Sequence, residues 1–320
     1  MSGTRRGALV TGAAGFIGSA LCDQLLLAGH RVVGVDALTP TYAPALKRLN
    51  IAGALAHPDF TLCEAPLADA PLEALLEDVA VVYHLAARPG VRASWHDFPE
   101  YLDSNVAATK RLLDACVGRG VRVVYASSSS VYGDVAALPV TEGHALAPVS
   151  PYGATKVATE VIAGAYHRSH GLEAVGLRYF TVYGPRQRPD MAIARFVDAA
   201  EAGQEIGVFG DGRQLRDFTY VGDIVAATLL AAEHGEPGDT YNIASGSPYP
   251  LLEVLDQLGA VLDVELRLRF DPVQVGDVRD TWASIERARD QLGYQPATTL
   301  RDGLVAQARE ARARRVAVAG

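Results

Sequence analysis

A tyrosine and a lysine four residues apart are the residues of this sequence best placed for acid/base chemistry. Tyr152 and Lys156 would share one face of a helix, so the ammonium could lie near the phenol. A nearby positive charge favours the phenolate and lowers a tyrosine pKa that is normally about 10. The spacing therefore predicts a base that takes a proton from a substrate hydroxyl near neutral pH.

A glycine-rich turn near the start of the chain predicts a site for a dinucleotide. Residues 11–18 (TGAAGFIG) follow an apolar strand pattern and precede a helical one. Small residues there let backbone N–H groups at a helix N-terminus reach a pyrophosphate. Asp36 ends the next strand pattern, where a carboxylate would bind the adenosine ribose diol. Ala37 and Leu38 follow it rather than an arginine, which favours NAD over its phosphorylated form.

The elements that must position these residues alternate between strands and helices over the first half of the chain. Strands are predicted at 8–10, 31–35, 60–62, 79–85, 121–126 and 174–178, and helices at 19–28, 72–76, 105–117 and 152–170. This alternation predicts an α/β fold, a Rossmann-like doubly wound parallel sheet with a smaller C-terminal α/β substrate lobe. We expect an NAD-binding domain at 1–180, with a return segment at about 219–246 that contains a helix at 223–233 and a strand at 240–243. The smaller lobe would then comprise 181–218 and 247–320.

The composition argues against several classes of protein. A net charge of −8 disfavours nucleic-acid binding, and no apolar stretch approaches the roughly 18 residues of a membrane span. Cys22, Cys63 and Cys116 are an odd and scattered set, which predicts reduced thiols in a cytoplasmic protein. His84 has no second His or Cys at ligand spacing, so we expect no metal site.

The ordered set of motifs resembles the extended short-chain dehydrogenases/reductases, and among them the NAD-dependent nucleotide-sugar epimerases. The set consists of the glycine turn, 84–87 (HLAA), 127–133 (SSSSVYG), the Tyr152/Lys156 pair, 177–180 (LRYF), 216–221 (RDFTYV) and 276–277 (GD). Each motif alone is moderately specific, whereas their common order is highly specific and covers nearly the whole chain.

The resemblance implies a role for particular residues. It implies acid/base catalysis by Ser128, Tyr152 and Lys156, although Ser129 is chemically identical to Ser128 and adjacent to it. Glu64 and Ala65 stand where the family usually has Asp-Ile against the adenine. The residues implied to bind NAD are Gly12, Gly15, Phe16, Ile17, Gly18, Asp36, Glu64, Ala65, Leu85, Ala86, Ala87, Asn105, Tyr152 and Lys156.

The reaction implied by the resemblance begins with oxidation of a sugar hydroxyl to a ketone. Related dehydratases place Asp-Glu directly after the catalytic residue, and Ser129 and Ser130 occupy those positions here. Elimination of water would lack its acid/base pair. We therefore expect the keto sugar to rotate in the site and to be reduced on its other face. The predicted reaction is 4-epimerisation, with NAD regenerated in each turnover.

Residues 181–185 (TVYGP) and 188–192 (RPDMA) resemble the epimerases that act on UDP-glucuronate. Arg188 would form a two-point pair with the sugar carboxylate, although a contact to the diphosphate or to solvent is the alternative. UDP-glucose is the alternative substrate, and a catalytically idle NAD-binding regulator is an alternative of another class. The resemblance also implies a homodimer through the helices at 105–117 and 152–170. The residues implied to bind the UDP-sugar are Arg92, Ser129, Thr181, Arg188, Arg216, Gln274 and Asp277.

Overall fold

The computed structural model describes residues 7–273 and 278–319 of the chain. Its strands are β1 (Gly7–Thr11), β2 (Arg31–Val35), β3 (Phe60–Cys63), β4 (Val79–His84), β5 (Arg122–Ser128), β6 (Ala174–Tyr179), β7 (Val182–Tyr183), β8 (Ile206–Phe209), β9 (Leu215–Arg216), β10 (Thr219–Tyr220), β11 (Thr240–Ile243), β12 (Tyr249–Pro250) and β13 (Leu268–Asp271). Its α-helices are α1 (Phe16–Leu27), α2 (Pro44–Asn50), α3 (Ala52–Leu55), α4 (Leu72–Leu75), α5 (Phe98–Tyr101), α6 (Ala108–Cys116), α7 (Pro151–His170), α8 (Ala192–Glu201), α9 (Val221–His234), α10 (Leu251–Leu262), α11 (Glu286–Leu292) and α12 (Leu300–Ala319).

A parallel sheet of seven strands forms the centre of the fold, in the order β11-β6-β5-β4-β1-β2-β3. The order reverses direction between β1 and β4, so the helices that follow these strands diverge and leave a crevice at their carboxyl ends. The predicted doubly wound α/β fold is confirmed. The six strands predicted for the first half of the chain are all present, with bounds within two residues of the prediction.

Both faces of this sheet are covered, which explains why its strands are continuously apolar. Along β1, Ala8 and Val10 belong to one buried cluster and Leu9 to another on the opposite face, because side chains alternate along a strand. Helices α1 and α9 contribute to the first cluster, and α6 and α7 to the second. The carboxyl ends of the strands are therefore held in place by helices that pack on both faces of the sheet.

A third buried cluster lies outside the large sheet. Ile193 of α8, Leu255 of α10 and Leu304 of α12 are fully buried in it. Each of the first two helices has one apolar face, and β8 pairs with β13 beside them. Strand β11, by contrast, pairs with β6 and extends the large sheet.

The helix predicted to begin at Asn105 begins at Ala108, because residues Leu102–Ala107 form a π-helical segment. The Asn105 carbonyl accepts hydrogen bonds from the hydroxyls of Thr109 (2.6 Å) and Thr159 (3.2 Å). Side chains that bond to a backbone carbonyl compete with the regular helical ladder, and π-segments often mark functional sites.

Candidate functional site

Two adjoining cavities open beyond the carboxyl ends of the central strands. The first, which we call the sheet-edge cavity, has a volume of about 600 Å³ and is lined by residues that follow β1, β2, β4, β5 and β6. The second, which we call the arginine cavity, has a volume of about 580 Å³. The residues that line both cavities are Thr41, Arg88, Pro89, Thr181 and Arg188. A ligand can therefore extend from one cavity into the other.

The glycine turn forms the floor of the sheet-edge cavity between β1 and α1. Gly12 has a φ of +70°, which favours glycine, and an added Cβ there would lie 2.9 Å from the backbone nitrogen of Ala86. A Cβ added at Gly18 would lie 2.0 Å from the carbonyl oxygen of Gly12. Both glycines are thus required by the close approach of backbone segments, and Gly15 caps the N-terminus of α1 that faces the cavity.

Asp36 lies beside this turn at the end of β2. One carboxylate oxygen accepts a hydrogen bond from the backbone nitrogen of Ala14 (3.0 Å), and the other accepts one from that of Leu38 (2.8 Å). These bonds fix the carboxylate in the cavity wall, and each oxygen keeps a lone pair for a further donor. Asp36 therefore lines the sheet-edge cavity, and its contact to a ribose stays a prediction.

Tyr152 lies in the first turn of α7, which begins after a capping serine. The Ser150 hydroxyl accepts a hydrogen bond from the backbone nitrogen of Gly153 (3.1 Å), and the Tyr152 nitrogen donates to the Ser94 hydroxyl (3.0 Å). The ring packs edge-on against Tyr101, with centroids 6.3 Å apart at 76°. Tyr152 is therefore held by both its backbone and its ring.

The Ser128 hydroxyl lies close enough to the Tyr152 phenol to favour its ionised form. It accepts a hydrogen bond from the backbone nitrogen of Ser130 and donates one to the Ser130 hydroxyl, both at 3.2 Å, which orients it at the end of β5. Ser129 lines the same cavity. Of the two adjacent serines, Ser128 is the one that acts on the phenol in the structure, and the catalytic role of Ser128 stays a prediction.

The prediction that Lys156 lowers the pKa of Tyr152 is wrong for this structure. The Lys156 ammonium donates to the carbonyl of Ala126 at 2.8 Å, on β5. Desolvation raises the pKa of Tyr152, and the Ser128 hydroxyl and the charge of Arg188 oppose that rise without cancelling it. Burial lowers the pKa of Lys156 to about 8, while the charge of Glu160 opposes the shift.

A buried ion pair beneath the tyrosine escaped the sequence analysis. Glu160 accepts two hydrogen bonds from the Arg178 guanidinium, at 2.9 and 2.7 Å, and both side chains are almost fully buried. The Ser127 hydroxyl donates to the same carboxylate. Two signals in the sequence could have revealed the pair, because Glu160 is four residues after Lys156 and Arg178 interrupts an apolar strand.

Two residues predicted to bind the cofactor are not among those that line the sheet-edge cavity. The Asn105 side chain is buried and accepts from the Arg88 nitrogen (2.6 Å), while its amide donates to the Arg88 carbonyl (3.0 Å) and the Thr155 hydroxyl (3.0 Å). It thus ties the loop after β4 to α7. Glu64 is exposed, and both of its carboxylate oxygens accept from one nitrogen of Arg48, Nη2, at 2.8 Å each. The other residues predicted to bind the cofactor all line the cavity.

The arginine cavity is rich in positive charge. Its lining includes Arg88, Arg92, Arg188, Arg195 and Arg216, and Asp190 is the one acidic residue that lines it in the described part of the chain. Arg188 donates to both oxygens of Asp190, from Nε at 3.0 Å and from Nη2 at 2.7 Å. In a chain with a net charge of −8, this concentration of arginine favours an anionic ligand.

Three of the remaining predicted substrate residues, Arg92, Thr181 and Arg216, line the same cavity. The Arg92 guanidinium stacks on the ring of Phe209 at 4.3 Å, and Arg216 donates to the carbonyl of Val278 at 2.8 Å. Thr181 lies at the junction of the two cavities. Gln274 and Asp277 lie outside the described residues.

His84 is enclosed by hydroxyl groups at the end of β4. Its ring nitrogens lie 2.8 Å from the Thr11 hydroxyl and 2.9 Å from that of Thr109. Burial lowers the pKa of His84 to about 3, and the charge of Lys156 adds to the shift. In the described ranges, no group of three or more His, Cys, Asp and Glu residues could hold a metal ion. Nor is any helix among these residues long and apolar enough to span a bilayer.

Comparison with known proteins gives consistent matches over most of the chain. The profile of the "NAD dependent epimerase/dehydratase family" matches residues 8–244. The chain is 43% identical over 302 residues to "Uncharacterized UDP-glucose epimerase YtcB" of Bacillus subtilis, covering 92% of this chain and 95% of that protein. It is 37% identical over 303 residues to the UDP-glucose 4-epimerase of Mycolicibacterium smegmatis, with 92% and 95% covered.

A solved structure matches equally fully. The UDP-glucuronic acid 4-epimerase of Bacillus cereus, in complex with UDP-glucuronic acid and NAD, superposes with a TM-score of 0.93 at 38% identity. The match covers 96% of this chain and 99% of that one. The chain belongs to the NAD-dependent epimerase/dehydratase family, which confirms the resemblance drawn from its motifs. It is an enzyme, and its cofactor is NAD.

Proposed function

We propose that this enzyme is a UDP-sugar 4-epimerase that interconverts UDP-glucuronate and UDP-galacturonate. The observation that carries the proposal is the position of Arg188, which lines both cavities and whose charge acts on the Tyr152 phenol. A guanidinium so close to the acid/base residue suits a sugar that carries a carboxylate next to the reacting carbon. The Bacillus cereus relative, with UDP-glucuronic acid bound, supports the same substrate.

The sheet-edge cavity fits NAD. The cradle around Gly12 and Gly18 has no room for a Cβ, and it faces the N-terminus of α1, where backbone N–H groups favour a pyrophosphate. Asp36 would hold the adenosine ribose, and Lys156 the nicotinamide ribose. Ala65 and residues 85–87 would line the cofactor, whereas Asn105 would act only by holding the loop at Arg88.

Tyr152 would take the proton from the sugar 4-hydroxyl while Ser128 shares a hydrogen bond with that hydroxyl. When bound, NAD accepts the hydride from C4 and returns it to the opposite face of the resulting 4-keto sugar. Tyr152 then gives the proton back to the new alkoxide. Ser129 and Ser130 carry no carboxylate, so the site offers no acid/base pair there for water loss.

Arg188 and Thr181 would also protect the intermediate. Oxidation of glucuronate at C4 gives a β-keto acid, which loses carbon dioxide when the bond to its carboxylate aligns with the ketone π system. A two-point pair with Arg188 fixes the plane of the carboxylate, and Thr181 at the junction of the cavities can hold it further. Arg92 and Arg216, together with Gln274 and Asp277, would bind the nucleotide diphosphate or the sugar.

UDP-glucose is the second candidate substrate. Two of the relatives named above are a UDP-glucose 4-epimerase and a protein named as a UDP-glucose epimerase. In the structure, the Arg188 fork is already paired with Asp190, an arrangement compatible with a neutral sugar. The anionic preference of the arginine cavity would then be satisfied by the diphosphate alone.

We further propose the organisation of the enzyme. Residues 1–180 and about 219–246 would form the NAD-binding domain, and residues 181–218 and 247–320 the nucleotide-sugar lobe, whose core is the third buried cluster. Val161 on α7 is 59% exposed and supports a homodimer through the helices at 105–117 and 152–170. The cysteines Cys22, Cys63 and Cys116 are free, which suits a cytoplasmic protein.

The test is an NMR time course of the purified protein, without added NAD, on UDP-glucuronate and UDP-glucose in parallel. We expect the galacturonate epimer to appear from UDP-glucuronate much faster than UDP-galactose appears from UDP-glucose. Turnover of UDP-glucose alone would overturn the proposed substrate. Bound NAD without turnover of either sugar would favour the regulator.

A further inference from the structure

Asp190 occupies the guanidinium fork that the proposed function reserves for the substrate. Arg188 donates to Oδ1 from Nε at 3.0 Å and to Oδ2 from Nη2 at 2.7 Å. This is the two-point geometry by which arginine binds carboxylate ligands. Both residues line the arginine cavity, so a sugar that enters meets an ion pair and not a bare cation.

We propose that Asp190 is a specificity-determining residue that competes with the sugar carboxylate for Arg188 and is displaced when an acidic sugar binds. The inference rests on the proposed function, because it assumes that UDP-glucuronate places its carboxylate at Arg188. It assigns to Asp190 a role in the choice between acidic and neutral sugars.

The exposure of the two partners makes this exchange feasible. The Arg188 side chain is 19% exposed, whereas that of Asp190 is 58% exposed. Asp190 is only two residues from Arg188 and lies in the short turn before α8, where the Met191 nitrogen donates to the Arg188 carbonyl at 3.1 Å. An exposed, local ion pair contributes little net stability, so Asp190 can return to solvent at small cost while Arg188 stays in the wall.

Charge also opposes simultaneous binding of both carboxylates. Desolvation acts to raise the pKa of Asp190, but the hydrogen bond and charge of Arg188 outweigh it and lower the pKa below its ordinary value. Asp190 is thus ionised at neutral pH, and a second carboxylate on the same fork would meet a like charge at close range. A neutral sugar would leave the pair intact.

The surroundings explain how the substrate could win the competition. Asp190 is the single acidic residue among the described residues that line the arginine cavity, and four other arginines line it. Among them, Arg92 and Arg216 would hold the diphosphate and so raise the effective concentration of the sugar carboxylate at Arg188. Asp190 would therefore lower the affinity for acidic sugars without abolishing it.

The alternative is that Asp190 orients Arg188 and remains paired with it in the complex. The two roles predict opposite effects of a substitution. Loss of a competitor strengthens binding of the acidic sugar, whereas loss of an orienting partner weakens it. A purely structural role before α8 would change the binding of every nucleotide ligand alike.

The experiment is a titration calorimetry of the NAD-containing protein with UDP-glucuronate and with UDP. It uses the Tyr152→Phe background, so that the sugar is not converted. The measured quantity is the ratio of the Kd for UDP to that for UDP-glucuronate, compared between the background protein and Asp190→Asn. Asp198→Asn is the matched control, because it removes an equal charge from α8 at a residue that does not line the arginine cavity.

We expect Asp190→Asn to raise this ratio roughly two- to fivefold, and Asp198→Asn to leave it unchanged. An unchanged or lower ratio in Asp190→Asn would overturn the inference, as would equal changes in both Kd values. Asp190→Ser provides a second variant if the amide disturbs the turn. If the background protein binds UDP-glucuronate no better than UDP, the proposed function fails as well, and that outcome is distinct from the others.

Discussion

The two cavities are built in different ways. The sheet-edge cavity is shaped by backbone: a glycine turn, the ends of parallel strands and the first turn of α7. The arginine cavity is shaped by long side chains that come from the segments after β4 and β7 and from β9. Backbone geometry strongly restricts the residue types at a position, because few residues fit a tight turn. Long charged side chains can reach the same point from many positions, so their partners are harder to foresee.

Because the two cavities are built differently, we expect them to have different roles. In the proposed function, the sheet-edge cavity would carry out the oxidation and the reduction of a carbon beside Tyr152. The arginine cavity would select the sugar that is presented to it. Substitutions in the first cavity should therefore abolish turnover of every sugar, whereas those in the second should change the preference among sugars.

The largest effect is expected from Gly18→Ala. The added Cβ would lie 2.0 Å from the Gly12 carbonyl oxygen, so the turn must shift, at a cost of about 1–3 kcal/mol in stability. We expect the purified variant to contain no NAD, as measured by chromatography of the released nucleotide. Gly53→Ala is the control, because its Cβ would meet nothing within 4 Å. Full NAD content in Gly18→Ala would contradict the assignment of the turn.

Tyr152→Phe should have the next largest effect. Removal of the hydroxyl that accepts the substrate proton should lower kcat by about 10²–10⁴-fold, while NAD stays bound. Steady-state turnover and NAD content measured on the same preparation test both parts. A variant that keeps wild-type kcat would mean that another group takes the proton.

Arg188→Ala should change specificity more than rate. Loss of hydrogen bonds to a charged ligand should raise KM for UDP-glucuronate by about 10- to 100-fold, with a smaller change for UDP-glucose. Arg195→Ala removes an equal charge from the wall of the same cavity and serves as the control. An equal rise in KM for the two sugars would show that Arg188 binds the diphosphate or acts only through the electrostatic potential of the cavity.

The smallest effect concerns stability, through His84. Its pKa is about 3 in the fold against an ordinary 6.5, because the buried ring disfavours the charged form. Its contribution is complete above pH 6.5 and is lost as the pH falls towards 3, because the unfolded chain then binds the proton first. We expect wild type to lose about 1 kcal/mol more unfolding free energy than His84→Asn between pH 6.5 and 5.5. Urea unfolding at both pH values measures this, and equal losses would contradict it.

The sequence predicted the sheet and most of the first cavity because both depend on local patterns. Apolar strands and the glycine turn read directly from residue types, and the strand bounds agree within two residues. The hydrogen bonds of the Asn105 side chain to the backbone of Arg88 and to the Thr155 hydroxyl are not predicted by any local pattern. These contacts depend on the π-helical segment before α6, and no periodic pattern in the sequence predicts that segment.

Hydrogen bonds and charge interactions between residues distant in sequence were also not predicted. The four-residue spacing of Tyr152 and Lys156 predicts that they share a helix face. It does not predict that Lys156 donates to the carbonyl of Ala126, or that desolvation has the largest effect on the pKa of the Tyr152 phenol. Likewise, the pairing of Glu160 with Arg178 joins α7 to β6, residues brought together only by the packed sheet. Such contacts depend on tertiary structure, so sequence spacing alone does not determine them.

The central claim is that one site oxidises and then reduces the same carbon of an acidic sugar. Its most direct test uses UDP-glucuronate with deuterium at C4, incubated with the purified protein in ordinary water and followed by NMR. We predict that the galacturonate product retains the deuterium at C4, because the hydride leaves and returns within the sheet-edge cavity. A product with hydrogen from solvent at C4, or deuterium displaced to another carbon, would contradict this account.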